Sequence, residues 1–192
     1  MIPLDLDPAG YGGTYKLVGG RLALDLINTI SWPGTEREHD WLSSPANLDR
    51  WLDGNDLPYG PAASDLDLDL TRTIRRDLDL VIRPLAEGQR PSLEVVEQLN
   101  LHLATAAPRR VIDPDGLGWI WTTSATAVDR LAPAIVDAAN IVTEPRHGRL
   151  RTCDGCQWLF QDDSRNGQRR WCDMADCGSR AKSRDYYHRH KR

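Results

Sequence analysis

Four cysteines constrain this chain more than any other feature. Cys153, Cys156, Cys172 and Cys177 fall within one 25-residue window of a 192-residue sequence that holds no other cysteine. They run C-x2-C, a 15-residue gap, then C-x4-C, close to the paired-knuckle spacing of four-thiolate zinc sites. Two residues between cysteines let a tight turn aim both sulfurs at one point, and Gly155 is placed to relieve that turn. Two such pairs complete a tetrahedral shell with no open position, which suits a structural zinc ion and leaves no site for a catalytic water. A disulfide pair needs an oxidising compartment, and four unrelated core thiols do not cluster in this way. One Zn2+ per chain is the expected cofactor.

The compartment follows from what the sequence lacks. Met1 to Gly10 has neither a basic n-region nor a long apolar stretch, so it does not read as a signal peptide. No run of about 18 apolar residues suits a membrane span. The expectation is a cytoplasmic chain with no membrane partner.

The cysteine-bearing segment is about 45 residues long, too short to bury much surface by itself. Structural zinc makes good that deficit, with roughly 10–16 kcal/mol of apparent binding energy in small fingers. Trp158, Phe160 and Trp171 are candidates for its small core, with base stacking as the other use of such side chains. The order of elements reads as a knuckle at Cys153–Cys156, a strand from Trp158 to Phe160, and a turn at Asn166-Gly167. A return strand from Gln168 to Trp171 follows, then a helix from Cys177 to about His190. Knuckle, hairpin and helix in this order describe a treble-clef-like four-cysteine finger.

Upstream the signals are mostly helical. Tyr15 to Val18 reads as a short strand, and Leu22, Leu26 and Ile30 predict a helix over 21–32. Ser44-Pro45 opens another helix, with Leu48, Trp51 and Leu52 inward. Ser64 to Glu87 predicts a helix of about six turns, with Leu66, Leu70, Ile74, Leu78, Val81, Ile82 and Leu85 inward. Ser64 and Asp67 resemble a capping box. Ser92 caps a further helix to about Ala107, burying Val95, Val96, Leu99 and Leu103. Val111-Ile112 and Trp119 to Trp121 flank the turn signal Asp113-Pro114-Asp115-Gly116 and predict a β-hairpin. Ser124 to Val142 is helical again, with Pro133 imposing a kink or a late start. The fold class is α+β: a mainly helical N-terminal domain over residues 1–145 with a small antiparallel β-hairpin, and the zinc finger over 146–192. The first is expected to stand on its own helical core.

Charge divides the chain at the same place. Residues 146–192 hold 12 Lys+Arg and 6 Asp+Glu, whereas residues 1–145 hold 12 and 22. The basic part suits a polyanion and the acidic part repels one. Arg169, Arg170, Arg180, Lys182, Arg184, Arg189, Lys191 and Arg192 are the candidate nucleic-acid contacts. Along a helix, Arg180, Arg184, His188 and Lys191 share one face beside Tyr187. The alternative is a solvated helix end whose arginines balance the net negative charge of a zinc–tetrathiolate centre. In the helix predicted over 21–32, Asp25, Asn28 and Thr29 share a face. They are candidates to line a ligand pocket, or to hydrogen-bond neighbouring backbone, the commoner fate of buried polar groups. No phosphate-binding glycine loop, nucleophile elbow or catalytic histidine cluster stands out, so no enzyme is expected.

The finger residues Cys153-x2-Cys156, Phe160, Asp163-Ser164-Arg165, Arg169-Arg170-Trp171-Cys172, Met174 and Cys177-Gly178-Ser179-Arg180 resemble the CGNR zinc finger. Gly20-x-Leu22-Ala23-Leu24-Asp25 with Asn28-Thr29 resembles its usual companion, the ABATE domain. Ser179 stands where the finger family has Asn. The resemblance implies a stress-linked transcription regulator, with a DNA-binding finger and an N-terminal domain that senses a small-molecule effector. Two further classes remain open on the residues: a zinc-stabilised protein-interaction module and an RNA-binding accessory protein. One finger offers a small footprint, so specific DNA binding favours a homodimer.

Overall fold

The computed structural model describes residues 2–145 and 149–190. It is mainly helical with small antiparallel sheets. A strand β1 (Ile2–Leu4) pairs with β2 (Tyr15–Leu17), in the register Pro3 to Lys16. Helix α1 (Leu22–Ile27) follows, then a two-residue ladder of β3 (Ile30–Ser31) with β4 (His39–Asp40). Helices α2 (Pro45–Gly54), α3 (Asp65–Ala86) and α4 (Leu93–Ala106) come next. The hairpin β5 (Arg110–Ile112) and β6 (Trp119–Trp121) then leads to α5 (Ala132–Thr143). The finger contains β7 (Leu150–Thr152), β8 (Leu159–Gln161) and α6 (Ser179–His190). Among the described residues, no helix is long and apolar enough to cross a membrane.

Local chemistry sets most boundaries. Ser44 Oγ accepts from Asn47 N at the start of α2, with Pro45 in the first turn. Ser64 and Asp67 form the full capping box of α3, each side chain holding the other's backbone N–H. Pro133 gives α5 a late start: the chain runs as a 3-10 turn over Val128–Leu131 before the α-helix begins. The first helix is shorter than the predicted 21–32. Thr29 Oγ1 donates to Leu26 O at 2.7 Å, turning the chain aside, and Ile30-Ser31 becomes a strand.

The inward face of α3 also differs from the expectation. Leu66 and Leu70 are 68% and 45% exposed, while Leu68 is 4% exposed. A strict four-residue step drifts by about 40° per repeat on an α-helix, so Leu66 and Leu70 rotate off the face that Ile74, Leu78, Val81 and Ile82 share. On α4 only Leu99 of the expected four is fully buried, and Val95, Val96 and Leu103 are half-buried. Arg75, buried on α3, clamps Asp40 bidentately at 2.7 and 2.9 Å and also reaches Thr29 Oγ1. That clamp ties α3 to β4 and to the end of α1.

One apolar core runs through both parts of the chain. It joins Leu24, Trp41, Trp51 and Leu78 to Leu150, Trp158, Leu159 and Phe160 of the finger. The expected boundary at Pro145 to Gly148 lies mostly outside the described residues. The finger nonetheless rests directly on the helical part, where the sequence suggests two separate cores.

Candidate metal centre and its basic helix

The zinc knuckle sits on a hairpin. β7 and β8 pair antiparallel with Arg151 opposite Phe160, and Cys153 and Cys156 occupy the turn between them. This corrects the predicted hairpin: the partner of the strand after the knuckle is Leu150–Thr152, and Gln168 to Trp171 is not a strand. Asp162 explains why. Its carboxylate accepts from Ser164 N and Arg169 N, pinning the intervening loop into a compact turn. Cys172 follows, and Cys177 lies in a π-helical turn, Met174–Gly178, that opens α6. Asp173 caps that turn by accepting from Ala175 N at 2.8 Å.

All four sulfurs lie within 4.8 Å of one another and all four residues are buried. Cys156 Sγ is 3.6 Å from Cys172 Sγ, which is 3.9 Å from Cys177 Sγ. A tetrahedral zinc with Zn–S near 2.3 Å requires sulfurs about 3.8 Å apart, so the donor set fits one structural zinc ion. A disulfide requires about 2.05 Å. Thiols packed this closely share protons: hydrogen bonding with Cys156 holds Cys153 below the ordinary thiol range, and hydrogen bonding with Cys153 pushes Cys156 and Cys172 above it. A divalent cation replaces those protons and relieves the conflict.

Gly155 matters for closeness rather than for turn geometry. A Cβ there would sit 3.0 Å from Cys177 Cβ and 3.1 Å from its sulfur. The left-handed residue of the knuckle is Gln157, at φ 63°.

Around the sulfurs, cations and helix meet. Arg180 donates to Cys177 Sγ at 3.3 Å and pairs with Asp176. Arg169 donates to Cys172 O at 2.6 Å and lies over the Phe160 ring. These two guanidiniums serve the metal centre itself. Arg170 is different: its side chain is 70% exposed, pairs with Asp154 and lies beside the Trp171 ring. Lys182, Arg184 and Arg189 stand exposed along α6, as do Tyr186 and Tyr187. Past Ala181, each α6 residue whose side chain is described is exposed, so this polar helix projects from the body. Lys191 and Arg192 lie outside the described residues. Lys16, which the sequence does not single out, pairs with buried Asp173 at 3.1 Å and ties β2 to the metal centre. An isolated lysine in a strand carries no signal of such a distant partner.

Asp25, Asn28 and Thr29 come together at the seam between the two parts, and each meets a protein partner. Asp25 Oδ1 accepts from Val18 N and Gly19 N. Asn28 donates to Leu159 O and accepts from Leu159 N, both at 2.8 Å, as a strand neighbour would. Thr29 bonds Leu26 O and Arg75. The Gly19-Gly20 turn makes this possible. A Cβ on Gly19 would lie 2.7 Å from Leu24 Cβ, and Gly20 adopts φ 76°. Gly19 O then accepts from Gln161 N of β8. Of the three, Asn28 reaches the finger, while Asp25 and Thr29 bond within the N-terminal part, the backbone-satisfying role that the sequence also offers.

Burial, opposed by the bonds from Gly19 and Val18 and reinforced by Asp137, raises the Asp25 carboxyl to about 6. A carboxylate raised in the folded state stabilises below its unfolded value, and that contribution is lost as pH rises through about 6. Asp25→Asn keeps an oxygen acceptor for both N–H groups and removes the buried charge. The variant should gain about 2 kcal/mol of stability relative to the parent between pH 4 and pH 8, most of it below pH 6, since the carboxyl moves from 3.8 to about 6. Urea unfolding of both proteins across that range measures it, and a difference independent of pH would refute the assignment.

Comparison with known families gives two matches. The ABATE family, described as "Putative stress-induced transcription regulator", matches residues 20–145. The CGNR zinc finger matches residues 149–190. No curated relative matches the chain.

Proposed function

The chain belongs to the ABATE family and carries a CGNR zinc finger, and from that premise we propose that it regulates transcription by binding duplex DNA through α6. The observation that carries this reading is the helix itself. It is polar on all sides, basic, and exposed beyond its first turn, with its base fixed to the zinc centre through Cys177 and Arg180. A helix of this composition gains little from packing, whereas a major groove accepts one and offers phosphates to its cations. Lys182, Arg184 and Arg189 reach the polyanion, Arg170 extends the surface beside Trp171, and Lys191 and Arg192 continue the basic run. The N-terminal part relays an effector signal through the clasp at Asn28 and Gly19. The protein acts by binding, with no catalytic step, in a reducing cytoplasm that keeps its thiolates available to zinc.

The test uses salt. Removing one phosphate-binding cation should lower the slope of log affinity against log salt by about 0.9. Lys182→Ala with Arg184→Ala should therefore weaken binding across sequences and flatten the slope by about two units, with zinc content unchanged. These two are chosen over Arg169 and Arg180, whose removal would disturb the metal centre. Unchanged affinity and slope would remove α6 as the DNA-binding surface and favour a protein-interaction module. Stronger competition by RNA than by duplex DNA would favour the RNA-binding alternative.

A further inference from the structure

The hairpin of β5 and β6 is exposed in a way that the zinc centre and α6 do not explain. Leu117 is 82% exposed, Trp119 59%, Ile112 51% and Ile120 41%. A lone two-stranded hairpin is marginal in water, and a third strand or a packed face normally supports it. Exposed edges are usually blunted by lysine, proline or a bulge. β6 reads Trp-Ile-Trp and carries none of these.

The ladder shows which backbone groups are free. Asp113 N donates to Gly118 O and Thr122 N to Arg109 O. In an antiparallel pair, hydrogen-bonded and non-hydrogen-bonded positions alternate. Val111 and Ile120 therefore exchange bonds within the hairpin, and the N–H and C=O of Trp119 and Trp121 point outward from β6. This edge is complementary to itself. Place a second β6 antiparallel beside it, with the two-fold axis at Ile120, and Trp119 of each copy exchanges both bonds with Trp121 of the other.

We propose that a second copy of this chain pairs along β6, giving a two-fold dimer with a continuous four-stranded sheet. The pairing sets indole against indole on one face and Ile120 against Ile120 on the other, cross-strand pairs of the stabilising kind. Charge agrees. Antiparallel pairing brings the acidic turn of one copy, Asp113 and Asp115, to the end of the sheet where the other carries Arg110. Arg110 lies over the Trp119 ring at 4.5 Å and has no carboxylate partner among the described residues. Trp119, Leu117 and Ile120 hold the apolar area open to a partner, while Trp121 is already half-buried against its own core, so they supply a part of the ~800 Å² that one partner gives to a stable interface. The edge of β5 is less suited, because Arg110 N already donates to Ala107 O and Pro108 precedes the strand. The resulting symmetry is isologous.

The two-fold axis gives a test specific to one residue. Ile120→Lys and Ile120→Glu each set like charges directly opposite across a non-hydrogen-bonded pair. Each variant should weaken self-association of the full chain by about a hundredfold or more, read by sedimentation velocity, with zinc content and far-ultraviolet circular dichroism unchanged. Mixing the two variants should restore a dimer containing one of each. A parent chain that stays monomeric at tens of micromolar would overturn the proposal and leave the edge to a strand from another protein. So would a dimer that both variants retain, because pairing would then use another face.

Discussion

Cys172→Ser should deprive the chain of zinc and destabilise the whole molecule together. The finger is too small to hold its shape without the ion, and it contributes Leu150, Trp158, Leu159 and Phe160 to the core shared with the helices. Trp158 packs against Tyr15 at 5.6 Å between ring centroids and donates its indole N–H to Ile30 O. Trp32 N donates to Cys156 O, and Arg83 reaches Gln157 O. Releasing the knuckle withdraws all of these. Zinc binding in small fingers is worth roughly 10–16 kcal/mol, comparable with the ~5–15 kcal/mol that holds a typical domain folded. The expected destabilisation is about 5 kcal/mol or more. Elemental analysis should fall from about one zinc per chain to near zero. Urea unfolding followed by tryptophan fluorescence and by circular dichroism should give one coincident transition at lower urea. If the helical signal instead melts at an unchanged midpoint, residues 1–145 stand independently, as the composition and charge split suggest.

The sequence was most legible where a local rule acts alone. Ser44-Pro45 and the Ser64–Asp67 box are helix starts that need no tertiary context. The cysteine spacing is a geometric statement about one turn and one ion, and the sulfurs lie where it requires. The β5–β6 hairpin followed from its Asp-Pro-Asp-Gly turn. Legibility failed where the decision is made at a distance. Leu66, Leu70 and Leu68 are chemically identical, and only the direction of the neighbouring helices selects Leu68 for the core. Ile30 continues a helical period, yet Thr29 bonds backward and β4 offers a partner ten residues on, at Asp40. The finger's return strand looked plausible because Gln168 to Trp171 follows an Asn-Gly turn. The strand that actually pairs lies before the first cysteine, where no turn signal marks it.

The basic residues divide along the same line. Arg169, Arg170, Arg180 and Arg184 look equivalent as charges in a sequence. In the fold, Arg180 meets a cysteine sulfur and Arg169 a cysteine carbonyl, because a zinc–tetrathiolate centre carries net negative charge that nearby cations offset. Lys182 and Arg184 lie beyond that reach. The distinction depends on which turn of α6 faces the metal, and the three-residue step from Cys177 to Arg180 sets it.

Asn28→Asp should be the most damaging single change outside the cysteines, although it alters few atoms. Asn28 is 1% exposed, and its side-chain amide engages Leu159 twice, donating to the Leu159 carbonyl and accepting from the Leu159 N–H. A carboxylate can still accept from Leu159 N–H, but it cannot donate, and it turns a negative charge toward the Leu159 carbonyl. An uncompensated buried charge typically costs about 3–5 kcal/mol. The new carboxyl can avoid that by keeping its proton, in which form it donates to Leu159 O again. Its pKa in the folded chain is therefore raised, so the damage is greatest at high pH and shrinks as pH falls toward 5. Leu159 lies three residues beyond Cys156, so the strain reaches the knuckle and zinc affinity should fall with stability. Denaturation at pH 5.5 and 8, with competitive zinc titration at both, reads the two effects together. Full stability at pH 8 would mean that Asn28 is not the clasp between the helices and the finger, and that the apolar contacts of Trp158 and Phe160 hold the seam without it.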